Sequence, residues 1–472
     1  MTITLLGILA YIGLQLLLGV VVARRIRTED DFLLAGRRLG YVLATFSIFA
    51  TWFGAESCIG TAGAAYAEGL AGVTADPFGY TVCLLLMGLV FAMPLWKLRL
   101  TTIADFFRRR YSVSVERLTA VIMVPTSLLW AAAQIRAFGQ VLTASSELQL
   151  TVAISVAALV VIIYTALGGL LADAITDIVQ GVILISGLVF VFYSIMNDVG
   201  GIGAAMASIG SDKLSLIPDG SGSGPRTAFT IAEAWAIPIF GSVVAQEVIS
   251  RVLASRSPQV AQRSSFMASA MYVCVGLMPL LIGLIGFSQI PNLDDPEHVL
   301  PMMAQIHLSK VFYVIFAGAL VSAILSTVDS ALLAASALLS HNVVISVRPD
   351  MPERRKLLIG RLGVVVMGAI AYLLALHAEG VYHLVKDASA FGSAGIFVVM
   401  IFGLFTKLGG VRSALATLTT GAAVWIVSYY FFEFEWSYLL SLLVALLAYL
   451  SVAFVEIARN YFVGRHRQPV TD

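Results

Sequence analysis

The sequence predicts an all-α polytopic membrane protein of about thirteen transmembrane helices, ten of them forming two five-helix repeats of inverted orientation. Three observations predict it. Hydrophobic residues fill 59% of the 472 positions and charged residues only 12%, too little polar surface to cover one water-soluble core. Apolar stretches long enough to cross a bilayer recur along the chain, and most of the 29 Lys and Arg residues fall in loops that one threading assigns to a single side. Two of the stretches carry helix breakers at corresponding places, five spans apart.

In order, the spans fall near 4–23, 40–66, 77–96, 117–144, 149–170, 175–196, 228–249, 265–289, 311–343, 358–377, 381–405, 411–432 and 436–457. The segment 4–23 lacks a basic n-region and a small-residue cleavage pattern, so it reads as a retained extra N-terminal helix. Residues 40–196 make the first repeat and 228–405 the second; 411–457 add two C-terminal helices, and 458–472 form a tail. The whole is expected to form one transmembrane domain. With the N-terminus outside and an odd count, the C-terminus is cytoplasmic. The inner side then collects Arg24, Arg37, Arg38, Arg108, Arg109, Arg110, Arg251, Arg256, Arg354, Arg355 and Lys356 among others, while Lys213, Arg226, Lys310 and Lys386 fall outside. The expected location is the plasma (inner) membrane. On the inner side, 101–111 alternates apolar and basic residues like a helix lying along the surface.

Several function classes drop out. A net charge of +1, with basic residues explained by topology, implies no nucleic-acid partner. Cys58, Cys83 and Cys274 all lie in apolar spans and read as small buried hydrophobes rather than a disulfide or metal framework. No nucleophile and base pair is apparent, so an enzyme is not expected, nor an organic cofactor. A transporter-like sensor is the rival class, and the short tail leaves it without an output domain of its own.

The chemistry concentrates at the breaks. In the second span, Ala50 to Gly60 interrupts a hydrophobic run with Trp52, Gly54, Glu56, Ser57 and Gly60. Lipid cannot hydrogen-bond freed backbone groups, so an unwound stretch at that depth lines a cavity or is buried in protein. The seventh span has Pro238 and Gly241 inside 235–247. The ninth sets Ser326, Thr327, Asp329 and Ser330 on successive helical positions, hard oxygens that suit a hard cation such as sodium. The plainer reading is that Ser and Thr bond back to the carbonyl four residues earlier; a carboxylate in hydrocarbon, costing several kcal/mol unless paired or functional, weighs against that reading for Asp329. Arg136, inside the fourth span, either pairs with Glu56 or Glu247 or grips a substrate carboxylate.

Through Leu34-Ala35-Gly36-Arg37-Arg38-Leu39-Gly40, Gly168-Gly169-Leu170 followed by Thr176-Asp177-Ile178-Val179-Gln180, and Ser326-Thr327-Val328-Asp329-Ser330, the chain resembles the sodium:solute symporter family over nearly its whole length. The resemblance implies a leucine-transporter-like fold, alternating access, and sodium (Na+) entry coupled to uptake of a small organic solute. It places the main sodium site between the carbonyls of Ala50, Phe53 and Ala323 and the hydroxyls of Ser326 and Thr327. A candidate second cation site matches Asp177 with Ser326, Asp329 and Ser330, although Asp177 reads equally well as a helix cap. Ala50-Thr51-Trp52, Gly79-Tyr80, Trp130-Ala131-Ala132-Ala133 and Arg251-Val252-Leu253 resemble the high-affinity choline transporter branch. Trp52, Tyr80 and Trp130 stand where that branch has cage aromatics, and aromatic faces attract ammonium groups; Ala245 replaces a further cage Trp, beside Gln246. The expected solute contacts are therefore Trp52, Glu56, Ser57, Tyr80, Trp130, Arg136 and Gln246. Arg136 favours an amino acid, zwitterion or organic acid as solute; the alternative is choline or another quaternary ammonium. The sequence does not fix the oligomeric state.

Overall fold

The structure, a computed structural model, describes residues 26–465 except 146–147, 218–223, 349 and 379–380, with isolated positions before residue 25; the side chains of 144–147, 381–384, 386 and 459–465 are also outside it. Most of the expected first span, 4–23, and the end of the tail, 466–472, lie outside the described residues.

Apart from one β-bridge between Leu39 and Ser255, regular structure among the described residues is helical, and ten helices are long and apolar enough to cross a membrane. Ten and thirteen agree once three features are counted. The first span is largely undescribed. The second is split, its first half, Tyr41–Trp52, too short to qualify and its second half continuous with the third span in 56–97. The fifth and sixth form one element, Leu150–Val199. Fifty residues of straight helix would run about 75 Å, more than twice the roughly 30 Å hydrocarbon core. The chain folds back instead at Gly169, whose φ of 54° and ψ of −174° belong to glycine alone.

Both breaks lie where the sequence places them. Tyr41–Trp52 ends as Phe53 turns to ψ 70°, and the Gly54 N–H donates to the Trp52 carbonyl at 2.8 Å. The chain resumes through a wide π-type turn at Glu56–Gly60 into Thr61–Glu68. In the seventh span, Pro225–Ala236 widens at Ile237–Gly241, where Pro238 offers no N–H to the ladder. It leaves the helix at Ala245 (φ −64°, ψ 131°) and resumes as Gln246–Ala254.

Lys310–Leu339 is the central rod, buried almost without interruption from Ala319 to Leu338. It packs on Val113–Ser145, on Leu150–Val199 and on Tyr41–Trp52. Outward-facing apolar side chains such as Leu362, Leu443 and Phe454 leave the perimeter suited to lipid.

Two fastenings hold the ends of this frame. On the side expected to face inward, Ile103–Arg110 buries Ile103, Phe106 and Phe107 against protein rather than lying free along the surface. Asp105 accepts from the Thr101 and Thr102 N–H groups at 2.8 and 3.0 Å and from Asn342 Nδ2 at 2.9 Å. His341 presents Nδ1 to Glu29 at 2.6 Å and Nε2 to Asp105 at 3.2 Å. At the opposite end, the Glu233 carboxylate accepts from the Tyr438 and Leu439 N–H groups at 2.7 and 2.8 Å. That contact satisfies freed donors at the start of the last helix, Ser437–Arg465.

Candidate sodium and solute site

The hydroxyls of Ser326 and Thr327 come from the central rod, and both are almost fully buried. Ser326 Oγ donates to the Ala323 carbonyl at 2.8 Å, and Thr327 Oγ1 lies 3.2 Å from the same oxygen, the back-bonding that the plainer reading expects. Thr327 Oγ1 does more: it reaches the Ala50 carbonyl, across the bundle on the first broken span, at 3.1 Å. Two hydroxyls and two carbonyls are thus linked, Ser326 through the Ala323 oxygen and Thr327 through the oxygens of both Ala323 and Ala50, with Phe53 at the adjoining bend. Gly54 probes the space beside them. A methyl there would lie 2.6 Å from Thr327 Oγ1, 2.7 Å from Gln134 Oε1 and 2.9 Å from Glu56 Oε2. A cluster of oxygens on two non-neighbouring spans, one unwound, suits a hard monovalent cation.

One turn further along the rod the polar groups continue. Asp329 Oδ1 accepts from Thr165 at 2.7 Å, and Ser330 Oγ donates to the Ser326 carbonyl at 2.8 Å. Asp177 is wholly buried. Helix already runs on both sides of it, so the cap reading fails. The guanidinium of Arg251 reaches both Asp173 and Ser330. Arg251, counted from sequence among the inner-loop cations, is fully buried here, and a fixed positive charge therefore stands beside the candidate second cation site.

The expected cage aromatics do meet. Ring centroids of Trp52 and Tyr80 are 5.6 Å apart, Tyr80 and Trp130 5.9 Å, and Trp52 and Trp130 6.2 Å. The indole N–H groups of both tryptophans are buried, with no hydrogen-bond partner among the described residues. Ser57 Oγ lies 2.5 Å from Asp76 Oδ2 and 2.8 Å from Tyr272 Oη, and Tyr272 Oη also donates to Asp76 at 2.8 Å. Glu56, almost fully buried like Asp76, accepts from Gln134 Nε2.

Tyr80 and Arg136 line a cavity of about 1010 Å³, together with Gly60, Thr74, Pro238 and Glu297, at the end of the bundle expected to face outward. Neither anticipated internal partner reaches Arg136: its Nη1 donates to the Ala375 carbonyl at 3.3 Å, and no ion pair among the described residues includes it. Glu247 instead accepts from Ser127. Gln246 departs from expectation. Its Oε1 accepts from the Ile103 N–H at 2.9 Å, so its amide is committed to the start of the inward helix Ile103–Arg110 rather than to the aromatic trio. The resemblance to the choline transporter branch puts Gln246 among the solute contacts, whereas the turn at Ala245 carries its Oε1 to Ile103.

Three residues at this site were not singled out from sequence: Asp76, Gln134 and Tyr272. Asp76 sits beside Pro77 at the expected end of a span, where a carboxylate reads as loop. Gln134, alone and polar in mid-span, was the one available signal.

A sequence profile of the sodium:solute symporter family matches residues 32–421. Relatives include high-affinity choline transporter 1 of Caenorhabditis elegans, 28% identical over 381 residues, 75% of this chain and 63% of that protein. The Homo sapiens counterpart is 28% identical over 445 residues, 88% of this chain and 75% of that protein. The sodium/pantothenate symporter of Haemophilus influenzae is 25% identical over 419 residues, 85% of each. The chain thus spans somewhat less than two thirds of the nematode relative. Among solved structures, the substrate-bound outward-open state of a Na+-coupled sialic acid symporter is similar in fold, with a TM-score of 0.83 at 18% identity over 96% of this chain and 98% of that one. A nucleobase-cation-symport-1 family transporter in a closed conformation gives 0.61 at 14% identity, over 92% and 95%. The fold is leucine-transporter-like, as the paired breaks predict. With the profile matching most of its length, the chain belongs to the sodium:solute symporter family.

Proposed function

We propose that the protein is a secondary active transporter that couples sodium entry to uptake of a small organic solute by alternating access. The observation that carries this reading is the contact of Thr327 with the Ala50 carbonyl. A cation held there joins the central rod to the unwound stretch, and that stretch also carries Trp52, Glu56 and Ser57. Sodium and solute then stabilise the same arrangement, so their binding is coupled. Loss of sodium to a low-sodium interior loosens both, and rocking of the repeats releases the solute. The membrane would be the plasma (inner) membrane, with the N-terminus outside and the C-terminus cytoplasmic.

For the solute, the reading best supported is a zwitterion such as an amino acid. Arg136 lines the cavity and joins no ion pair among the described residues, which suits it to a carboxylate. The aromatic trio, with Asp76 and Glu56 near it, suits an ammonium group. Choline or another quaternary ammonium is the second reading, favoured by the trio and by the choline transporters among the relatives. Purified protein is screened by thermal shift against amino acids, organic acids and quaternary amines, with and without sodium, and stabilising ligands are tested for uptake into proteoliposomes under an imposed sodium gradient. Stabilisation that grows with sodium, followed by accumulation, is expected. Ligand stabilisation without accumulation of any stabilising ligand would instead support a sensor.

A further inference from the structure

We infer that Gln134 is the positioning residue through which sodium occupancy is read at the solute site; the inference rests on the sodium assignment above. Gln134 lies on Val113–Ser145, a helix contributing none of the assigned sodium ligands, and is wholly buried. Its amide is used at both ends. Oε1 accepts from the Ala55 N–H at 3.0 Å, a donor freed by the break after Trp52, and Nε2 donates to Glu56 Oε2. One planar group thereby satisfies unwound backbone and turns a carboxylate of the solute site.

The link to sodium is geometric. Gln134 Oε1, Glu56 Oε2 and Thr327 Oγ1 all come within 3 Å of the one spot where a methyl on Gly54 would stand, and they belong to three different spans. Gly54 is the only residue type that leaves that spot empty. A shift of Thr327 toward a cation shared with the Ala50 carbonyl alters the wall against which Gln134 sets Ala55 and Glu56. Packed elements of this kind pass a displacement on rather than absorbing it.

The test is proteoliposome uptake measured over a grid of sodium and solute concentrations, with wild type, Gln134→Met, Gln134→Glu and Thr327→Ala. Methionine keeps the length of glutamine and removes both hydrogen bonds; glutamate keeps the acceptor and sets a carboxylate against Glu56. In wild type the solute KM is expected to fall as sodium rises. In both Gln134 variants that fall is expected to flatten, and the half-saturating sodium concentration to rise about fivefold or more. A residue that merely supports the fold would lower Vmax and leave the sodium dependence of the solute KM as in wild type, and that result overturns the inference. If Gln134→Met does not fold, Gln134→Glu carries the same measurement. Failure of the sodium assignment looks different: wild type without sodium dependence, or Thr327→Ala indistinguishable from it.

Discussion

Thr327 Oγ1 donates a hydrogen bond of 3.1 Å to the carbonyl oxygen of Ala50, a residue 277 positions earlier on a different and broken helix. Because the acceptor is a carbonyl that the break leaves without an intrahelical use, the contact is polar, buried and replaceable by a cation at little cost to either helix. Thr327→Ala and Ser326→Ala should each raise the sodium concentration for half-maximal uptake by about tenfold, the scale of one lost oxygen contact to a charge. Unchanged sodium dependence in both variants would remove these residues from the ligand set.

Asp173 and Arg251 form an ion pair with essentially no solvent exposure, and Arg251 also donates to the Glu247 carbonyl at 3.2 Å. Removing one partner leaves a buried charge uncompensated. Asp173→Ala should cost about 3–5 kcal/mol, read as a lowered thermal midpoint in detergent, and the double change Asp173→Leu with Arg251→Met should recover most of it. If the double change is no better than the single one, the pair is not what Asp173 serves.

Gly169 carries the fold-back between the fifth and sixth spans in a conformation closed to L side chains, and a Cβ there would lie 2.5 Å from Phe32 Cδ2 and 2.8 Å from the Phe32 carbonyl oxygen. Gly169→Ala should therefore lose at least about 1–3 kcal/mol to backbone strain alone. Size-exclusion profiles and thermal midpoints of the variant check it; Phe32→Ala in the same chain removes the side-chain contact but neither the approach to the backbone carbonyl nor the strain.

Asp105 predicts an acid limit. Burial works to raise its carboxyl, but hydrogen bonds from His341 and from the Thr101 and Thr102 N–H groups outweigh it and hold the group below the ordinary 3.8. A folded value below the unfolded one means the contribution is complete above the unfolded value and is lost as pH falls through the folded value. Wild type should lose stability more steeply than Asp105→Asn as pH falls below 3.8, with the two curves converging only once the pH is below the lowered folded value. Parallel curves would show that the carboxylate is not what fastens that face.

Both breaks and the hydroxyls of the central rod were legible in the sequence, because Gly, Pro and clustered oxygens within apolar runs are local signals. The fold-back at Gly169 was legible for the same reason, through the boundary between two spans. Partners that packing brings together from far apart were not. Gln134 meets Ala55 across 79 positions, Tyr272 meets Asp76 across 196, and Arg251 meets Asp173 across 78. Each residue taken singly reads as an ordinary polar group in a helix or as a loop cation. Gln246 shows the converse, a residue beside a break whose side chain is directed to Ile103 by the turn at Ala245.

The grip of Glu233 on the backbone of Tyr438 and Leu439 ties the last helix to the second broken span. Any tilt of that span during the transport cycle must drag the start of the last helix along. A spectroscopic label near residue 440 would thus serve as a remote odometer for a motion whose origin lies deep in the bundle, without touching the binding machinery.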